Sequence, residues 1–136
     1  MKIETHEEIL NEVLDEIESA LKDPKVLISH QRRLAFLLSF GAINILEIYF
    51  HTKEIIKEGS KINHRWFRKK ENKVYEYLQK QITSPINSIE NINQILDKII
   101  KIEEKRDELA YGSPVKEEIL QEKINLFFEL RKLLKC

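Results

Sequence analysis

Glycine, proline and cysteine are all scarce in this 136-residue chain, which holds three, three and one of them. So few turn-forming residues argue against a sheet with many connections. The abundant Leu, Ile, Glu and Lys belong instead to long helices. Cys136 is the last residue and has no intrachain partner, so it excludes an internal disulfide framework and a zinc-binding thiolate cluster. A reducing compartment, the cytoplasm, is expected. The segment from Met1 to Leu21 is acidic and amphipathic, without the charged-then-apolar order of a secretory signal. The longest apolar stretch, Leu34 to Phe50, is interrupted by Ser39, Asn44 and Glu47. It is shorter than a bilayer span requires, and reads as a buried core helix of a protein with no membrane partner. The chain also lacks a Gly-rich phosphate loop, a nucleophile elbow and the His-Glu-x-x-His zinc motif.

Net charge is absent too, with 23 basic and 23 acidic residues, yet the two signs are segregated. Residues 1 to 23 hold two Lys against eight acids, and residues 57 to 80 hold eight basic residues against Glu58, Glu71 and Glu76. Such asymmetry either steers a polyanion to one end of the molecule or lets two segments neutralise each other.

What is present is helical periodicity, and the length suits one domain over 1–136 with a sizeable core. Thr5 and Glu8 form a capping box ahead of Ile9, Leu10, Val13, Leu14, Ile17, Ala20 and Leu21, giving a first helix that ends near Lys22. Asp23-Pro24 supplies a cap and a first-turn proline for a second helix, running to about Glu58 before Gly59-Ser60. Its middle is apolar nearly all round, so it forms the spine, with Gly41 allowing a close crossing or slight bend. A third helix is expected from His64 to Ile82, a fourth from Ser84-Pro85 to Gly112, and a fifth from Ser113-Pro114. Short links favour antiparallel neighbours, so the expected fold is all-α, an up-and-down bundle of four to five helices.

No metal site and no cofactor are expected. Glu47, His51 and Glu54 share a helical face at spacings of four and three, but the Glu-x-x-His pair of carboxylate-bridged metal bundles is missing. Two other features carry chemistry. The segment His64, Arg65, Arg68, Lys69, Lys70 and Lys73 interleaves charge with Trp66, Phe67 and Tyr75. Bases stack on aromatic rings while cations neutralise phosphates, so the mix suits single-stranded RNA; a solvated helix face with Phe67 in the core satisfies the same pattern. The other is the corner Arg106-Asp107-Glu108-Leu109-Ala110-Tyr111-Gly112, read as the place where an ion-rich helix meets a glycine stop. Its charges either serve a ligand or only complement the helix dipole and make surface pairs.

The corner resembles the signature of HEPN domains, small helical bundles in which Arg, a polar residue, three further residues and His close a helix. Arg106 to Tyr111 has that spacing, with Tyr111 in place of His and Gly112 following. Arg32 to Phe50 is similar to the long second helix of those domains. Gly59-Ser60-Lys61-Ile62-Asn63-His64-Arg65 is similar to a Gly-x-x-x-x-His-Arg loop that many carry before the third helix. The resemblance implies a HEPN-like homodimer in which two such corners face one another across a positive cleft that takes RNA or a nucleotide. It also implies a metal-independent ribonuclease or toxin, of the kind often paired with a small nucleotidyltransferase as antitoxin, or a domain that only binds RNA or nucleotides. On that reading Arg106 holds the scissile phosphate and Asp107 orients that arginine or the attacking 2′-hydroxyl. His64, Arg65, Arg68, Lys69 and Lys70 contribute to the nucleic-acid surface. Tyr111 is the departure: a phenol with pKa about 10 is a poor general base at neutral pH, and a loss of roughly 10²-fold or more follows. Binding with weak or absent cleavage is therefore the expectation, unless His64 lies at the same end of the bundle and takes the role. Two other classes stand beside it: a non-catalytic interaction subunit or adaptor, and an active endoribonuclease.

Overall fold

The computed structural model describes residues 2–23 and 27–135, so the proline of Asp23-Pro24 and Cys136 lie outside the described residues. The fold is an all-α bundle. Among the described residues it has five α-helices of nine residues or more and one of six, and no strand beyond an isolated bridge between Ile56 and Ile82.

Helix α1 spans Ile3–Lys22 and buries His6, Leu10, Val13, Ile17 and Ala20 at alternating spacings of four and three. It begins two residues before the expected cap. Ile3 packs against the core, and the free amides of Thr5 and His6 bond to the Lys2 carbonyl, so Thr5 does not cap. A 3₁₀ turn, Leu27–His30, leads into α2, Gln31–Thr52, which packs against α1 and against three helices that follow in the chain. Leu27–Thr52 is long and apolar enough to cross a bilayer by length and composition, but 72% of its most apolar window is buried inside the bundle. Gly41 sits at the closest approach: a Cβ there would meet the Phe127 ring at 2.8 Å and Val13 Cγ1 at 2.9 Å.

The second helix stops at Thr52, not near Glu58. Glu54 adopts φ 57°, the Ile55 amide bonds back to the Phe50 carbonyl, and the chain then pairs with residues 81–83. Peeling away here lets Ile62 and Phe67 enter the core. The third helix is likewise shorter than expected. A 3₁₀ turn, His64–Arg68, is capped by the Asn63 side chain, and α3 covers only Glu71–Gln79.

The expected fourth helix does not start at Ser84-Pro85, where only a 3₁₀ turn, Ile86–Ser88, forms, and from Ile92 onward it is two. Helix α4, Ile92–Glu103, ends where Lys105 takes a left-handed conformation (φ 60°), and α5, Arg106–Tyr111, starts afresh. No glycine marks this break. The ammonium of Lys123, on α6 (Glu117–Leu134), hydrogen-bonds the carbonyls of Lys101 and Glu104, supplying from a neighbouring helix the C-cap that the local sequence lacks. The corner after α5 is held from α2. Buried Gln31 donates to the carbonyls of Leu109 (3.0 Å) and Ser113 (3.1 Å) and accepts from the Val115 amide (3.0 Å). Helix α6 consequently starts at Glu117, three residues beyond Pro114.

Candidate functional site

Because α5 is a separate helix, Arg106 occupies its first position instead of the last turn of a long one. Its guanidinium carbon sits over the Phe36 ring of α2, 4.8 Å from the ring centre. Phe36 also meets the Tyr111 ring in a near-perpendicular contact, the ring centres 5.7 Å apart. Arg106 donates through Nη1 to Asp107 Oδ1 at 2.9 Å, while its buried Nε has no hydrogen-bond partner. A buried donor without an acceptor costs about 1–3 kcal/mol, which an arriving anion would offset.

Asp107 also receives both Nη groups of Arg68, at 3.0 and 3.1 Å. The Arg68 and Arg106 cations hold the Asp107 carboxyl below its ordinary range, their hydrogen bonds exceeding the opposing effect of burial. Arg68 continues through Nε to Glu103 Oε1 at 2.8 Å, and that same oxygen accepts from His64 Nδ1 at 2.8 Å. Ser39 of α2 donates its hydroxyl to the other oxygen, Oε2. Glu103 is 3% exposed. An unbroken chain of hydrogen bonds therefore runs His64, Glu103, Arg68, Asp107, Arg106, joining the turn at 64–68 to both helices of the broken pair.

A cleft of about 640 Å³ opens between α2 and the loop 61–65, with Arg106 on its rim. Phe36, Leu37, Phe40 and Ile43 form an apolar wall, and Lys61, His64, Arg65 and Arg106 supply cationic or ionisable edges. Its inner end is polar and self-satisfied. His6 bonds through Nδ1 to Asn44 Oδ1 (2.6 Å) and through Nε2 to Glu47 Oε2 (2.8 Å), and Glu47 accepts the Ile62 amide (2.8 Å). Asn44 in turn donates to the Phe40 carbonyl, which fixes its amide so that the oxygen faces His6. Glu47 is thus occupied, and Glu54 has left the helix, so the shared face with His51 does not form. No protein-family model, curated protein or solved structure matches this chain.

The residues singled out from sequence fall into three groups. Arg106, His64 and Arg65 meet in the cleft. Asp107 stands behind Arg106, and Arg68 is engaged by Glu103 and Asp107, so neither lines the cleft wall. Lys69 and Lys70 are exposed between the 3₁₀ turn and α3, and Tyr111 is 72% exposed and absent from the lining. Neutralisation of the basic segment by the acidic first helix does not occur: α1 makes no ion pair with residues 57–80 among the described residues. Sequence reading missed Ser39, Asn44 and above all Glu103. The last carries a usable signal, since it falls four residues after Ile99 on the Ile92, Leu96, Ile99 stripe, at a position that otherwise demands an apolar side chain.

Proposed function

We propose that this chain is a HEPN-like up-and-down bundle that binds RNA or a nucleotide in the cleft edged by Lys61, His64, Arg65 and Arg106. The observation that carries this reading is the convergence of residues far apart in sequence, Arg65 and Arg106, on one cleft with an aromatic wall. A phosphate pairs with the guanidinium of Arg106, relieving its unpartnered Nε, while a base lies against Phe36 or Phe40. Asp107 and Arg68 position Arg106 through the ion-pair chain. Tyr111, at the solvent edge of Phe36, gives the cleft no efficient proton acceptor, so binding outweighs any cleavage that depends on it. The test is Arg106→Ala: a folded variant that binds single-stranded RNA as tightly as the parent removes the reading.

A second reading, an interaction subunit or adaptor, draws on one specific observation. Phe40 in the cleft wall is 48% exposed and Tyr111, packed against Phe36, is 72% exposed, and exposed aromatics of this kind favour a protein contact. In the HEPN-like reading that contact is the second copy of a cytoplasmic homodimer, with a small nucleotidyltransferase as a further partner in a toxin–antitoxin pair. A sedimentation profile of a monomer at high concentration, with no RNA affinity at low salt, favours the adaptor instead.

A further inference from the structure

We infer that this chain associates head to tail with further copies of itself, the acidic outer face of α1 in one copy docking on the basic stretch 61–70 of the next. Helix α1 packs chiefly on α2 and leaves its opposite face exposed. Along that face Glu4, Glu8, Glu12 and Asp15 are exposed at spacings of four, four and three, a stripe about 17 Å long at 1.5 Å per residue. None of the four makes an ion pair or a side-chain hydrogen bond among the described residues.

Like charges at such spacings repel one another along a helix. The helix dipole compensates only in the first turn, so Glu8, Glu12 and Asp15 gain nothing from it. A second face carries the opposite imbalance. Lys61, Arg65, Lys69 and Lys70 are exposed on and beside the turn His64–Arg68, and none of their side chains is ion-paired among the described residues. The acids that meet this turn, Glu103 and Asp107, are already taken by His64, Arg68 and Arg106. Phe40, 48% exposed, lines the cleft with Lys61 and Arg65 and offers an apolar surface to the methylene groups of incoming glutamates.

Two faces that match in opposite charge and do not pair within one copy are brought together by a second copy. The net charge of zero means that no overall repulsion opposes the approach. Because the two faces differ, the contact is heterologous: each copy keeps one face free, and copies add as an open chain or close into a ring. This is distinct from a two-fold pairing of like corners, and it forms without RNA. Exposed ion pairs are individually weak and are screened by salt, so assembly belongs to low ionic strength and high protein concentration.

The experiment is sedimentation velocity of the full chain at about 0.5 mM protein, in about 20 mM and about 0.5 M salt. The parent's weight-average sedimentation coefficient is expected to be about 1.3-fold higher or more in low salt, as for half-complete pairing near a dissociation constant in the millimolar range. One variant neutralises the stripe (Glu4→Gln, Glu8→Gln, Glu12→Gln, Asp15→Asn), and another the basic face (Lys61→Gln, Arg65→Gln, Lys69→Gln, Lys70→Gln). All eight side chains are exposed, so both variants keep the fold. Each alone is expected to hold its high-salt value in low salt, and an equal mixture to regain the increase, since each brings the face that the other has lost. A control with Glu90, Glu108, Glu118 and Glu122 changed to Gln has the first variant's net charge and an intact stripe, and associates like the parent. A parent unaffected by salt overturns the inference, as does association that persists in either variant alone or a mixture that stays apart. A control that behaves like the first variant overturns it too, by assigning the effect to net charge. None of these outcomes bears on RNA binding in the cleft.

Discussion

Replacing Glu103 by alanine strips the acceptor from Ser39, His64 and Arg68 at once. Hydrogen bonds to a charged group contribute about 1.5–3 kcal/mol each, so a naive sum reaches roughly 5–9 kcal/mol. Exposure reduces this considerably. The His64 and Arg68 side chains are 28% and 37% exposed, and both regain water when their partner is removed; Arg68 also keeps Asp107. Ser39, at 3% exposure, has no such recourse beyond a bond to its own helix, and the alanine leaves a hole beside it. The carboxylate's own desolvation penalty, no longer incurred, lowers the figure again. The expected net loss is about 2–4 kcal/mol, equivalent to roughly 8–16 °C in Tm for a domain of this size. Glu103→Gln separates charge from shape. The Ser39 hydroxyl can rotate to accept from the new amide, leaving the carbonyl oxygen for His64 and Arg68, so a loss of only about 1 kcal/mol is expected. Urea denaturation of the parent and both variants decides the matter. An alanine variant within about 0.5 kcal/mol of the parent, or a glutamine variant as weak as the alanine one, refutes the reasoning.

Three further outcomes follow from other parts of the fold. Gly41→Ala places a methyl group 2.8 Å from the Phe127 ring and 2.9 Å from Val13 Cγ1, both residues with no exposed surface, so overpacking outweighs the better helix propensity and the variant loses about 1–2 kcal/mol in denaturant titration. Glu16, which bridges His30 and Arg33, has its carboxyl lowered from 4.5, since those hydrogen bonds and charges exceed the opposing effect of burial. Its contribution to stability is therefore complete above pH about 4.5 and lost as the pH falls through the lower folded value. In paired pH–denaturation curves, the gap between the parent and Glu16→Gln is level near neutrality and closes in acid; a gap that widens in acid contradicts the sign. Lys123→Met removes the ammonium that caps Lys101 and Glu104, and hydrogen exchange of α5 amides is expected to quicken relative to α1.

Helices with an uninterrupted stripe were legible in the sequence, because periodic burial alone determines them. Leu10, Val13, Ile17 and Ala20 mark the buried face of α1, and Leu120, Ile124, Phe127, Leu130 and Leu134 mark that of α6. Gly41 as a close crossing was legible for the same reason. Helix ends were not, wherever a tertiary contact supplied the stop. The end of α2 depends on pairing with residues 81–83, and the break at Lys105 on an ammonium from α6. Neither leaves a glycine or proline behind. The site suffered directly: a continuous helix through residue 112 puts Arg106 and Tyr111 one turn before a glycine stop, whereas the break gives Arg106 the first position of α5, facing Phe36, and leaves Tyr111 at the solvent edge. Buried polar residues in the apolar register, His6, Glu47 and Glu103, are the signal that a reading based on apolar stripes passes over.

The central claim, that Arg106 anchors a phosphate in this cleft, is tested most directly by titrating a labelled single-stranded RNA oligonucleotide with the parent and with Arg106→Ala at several salt concentrations. Loss of one charge-assisted contact predicts a fall in affinity of about 10- to 100-fold and a salt dependence shallower by about 0.7 in the log–log slope. A folded Arg106→Ala variant with the parent's affinity and the parent's slope contradicts the account.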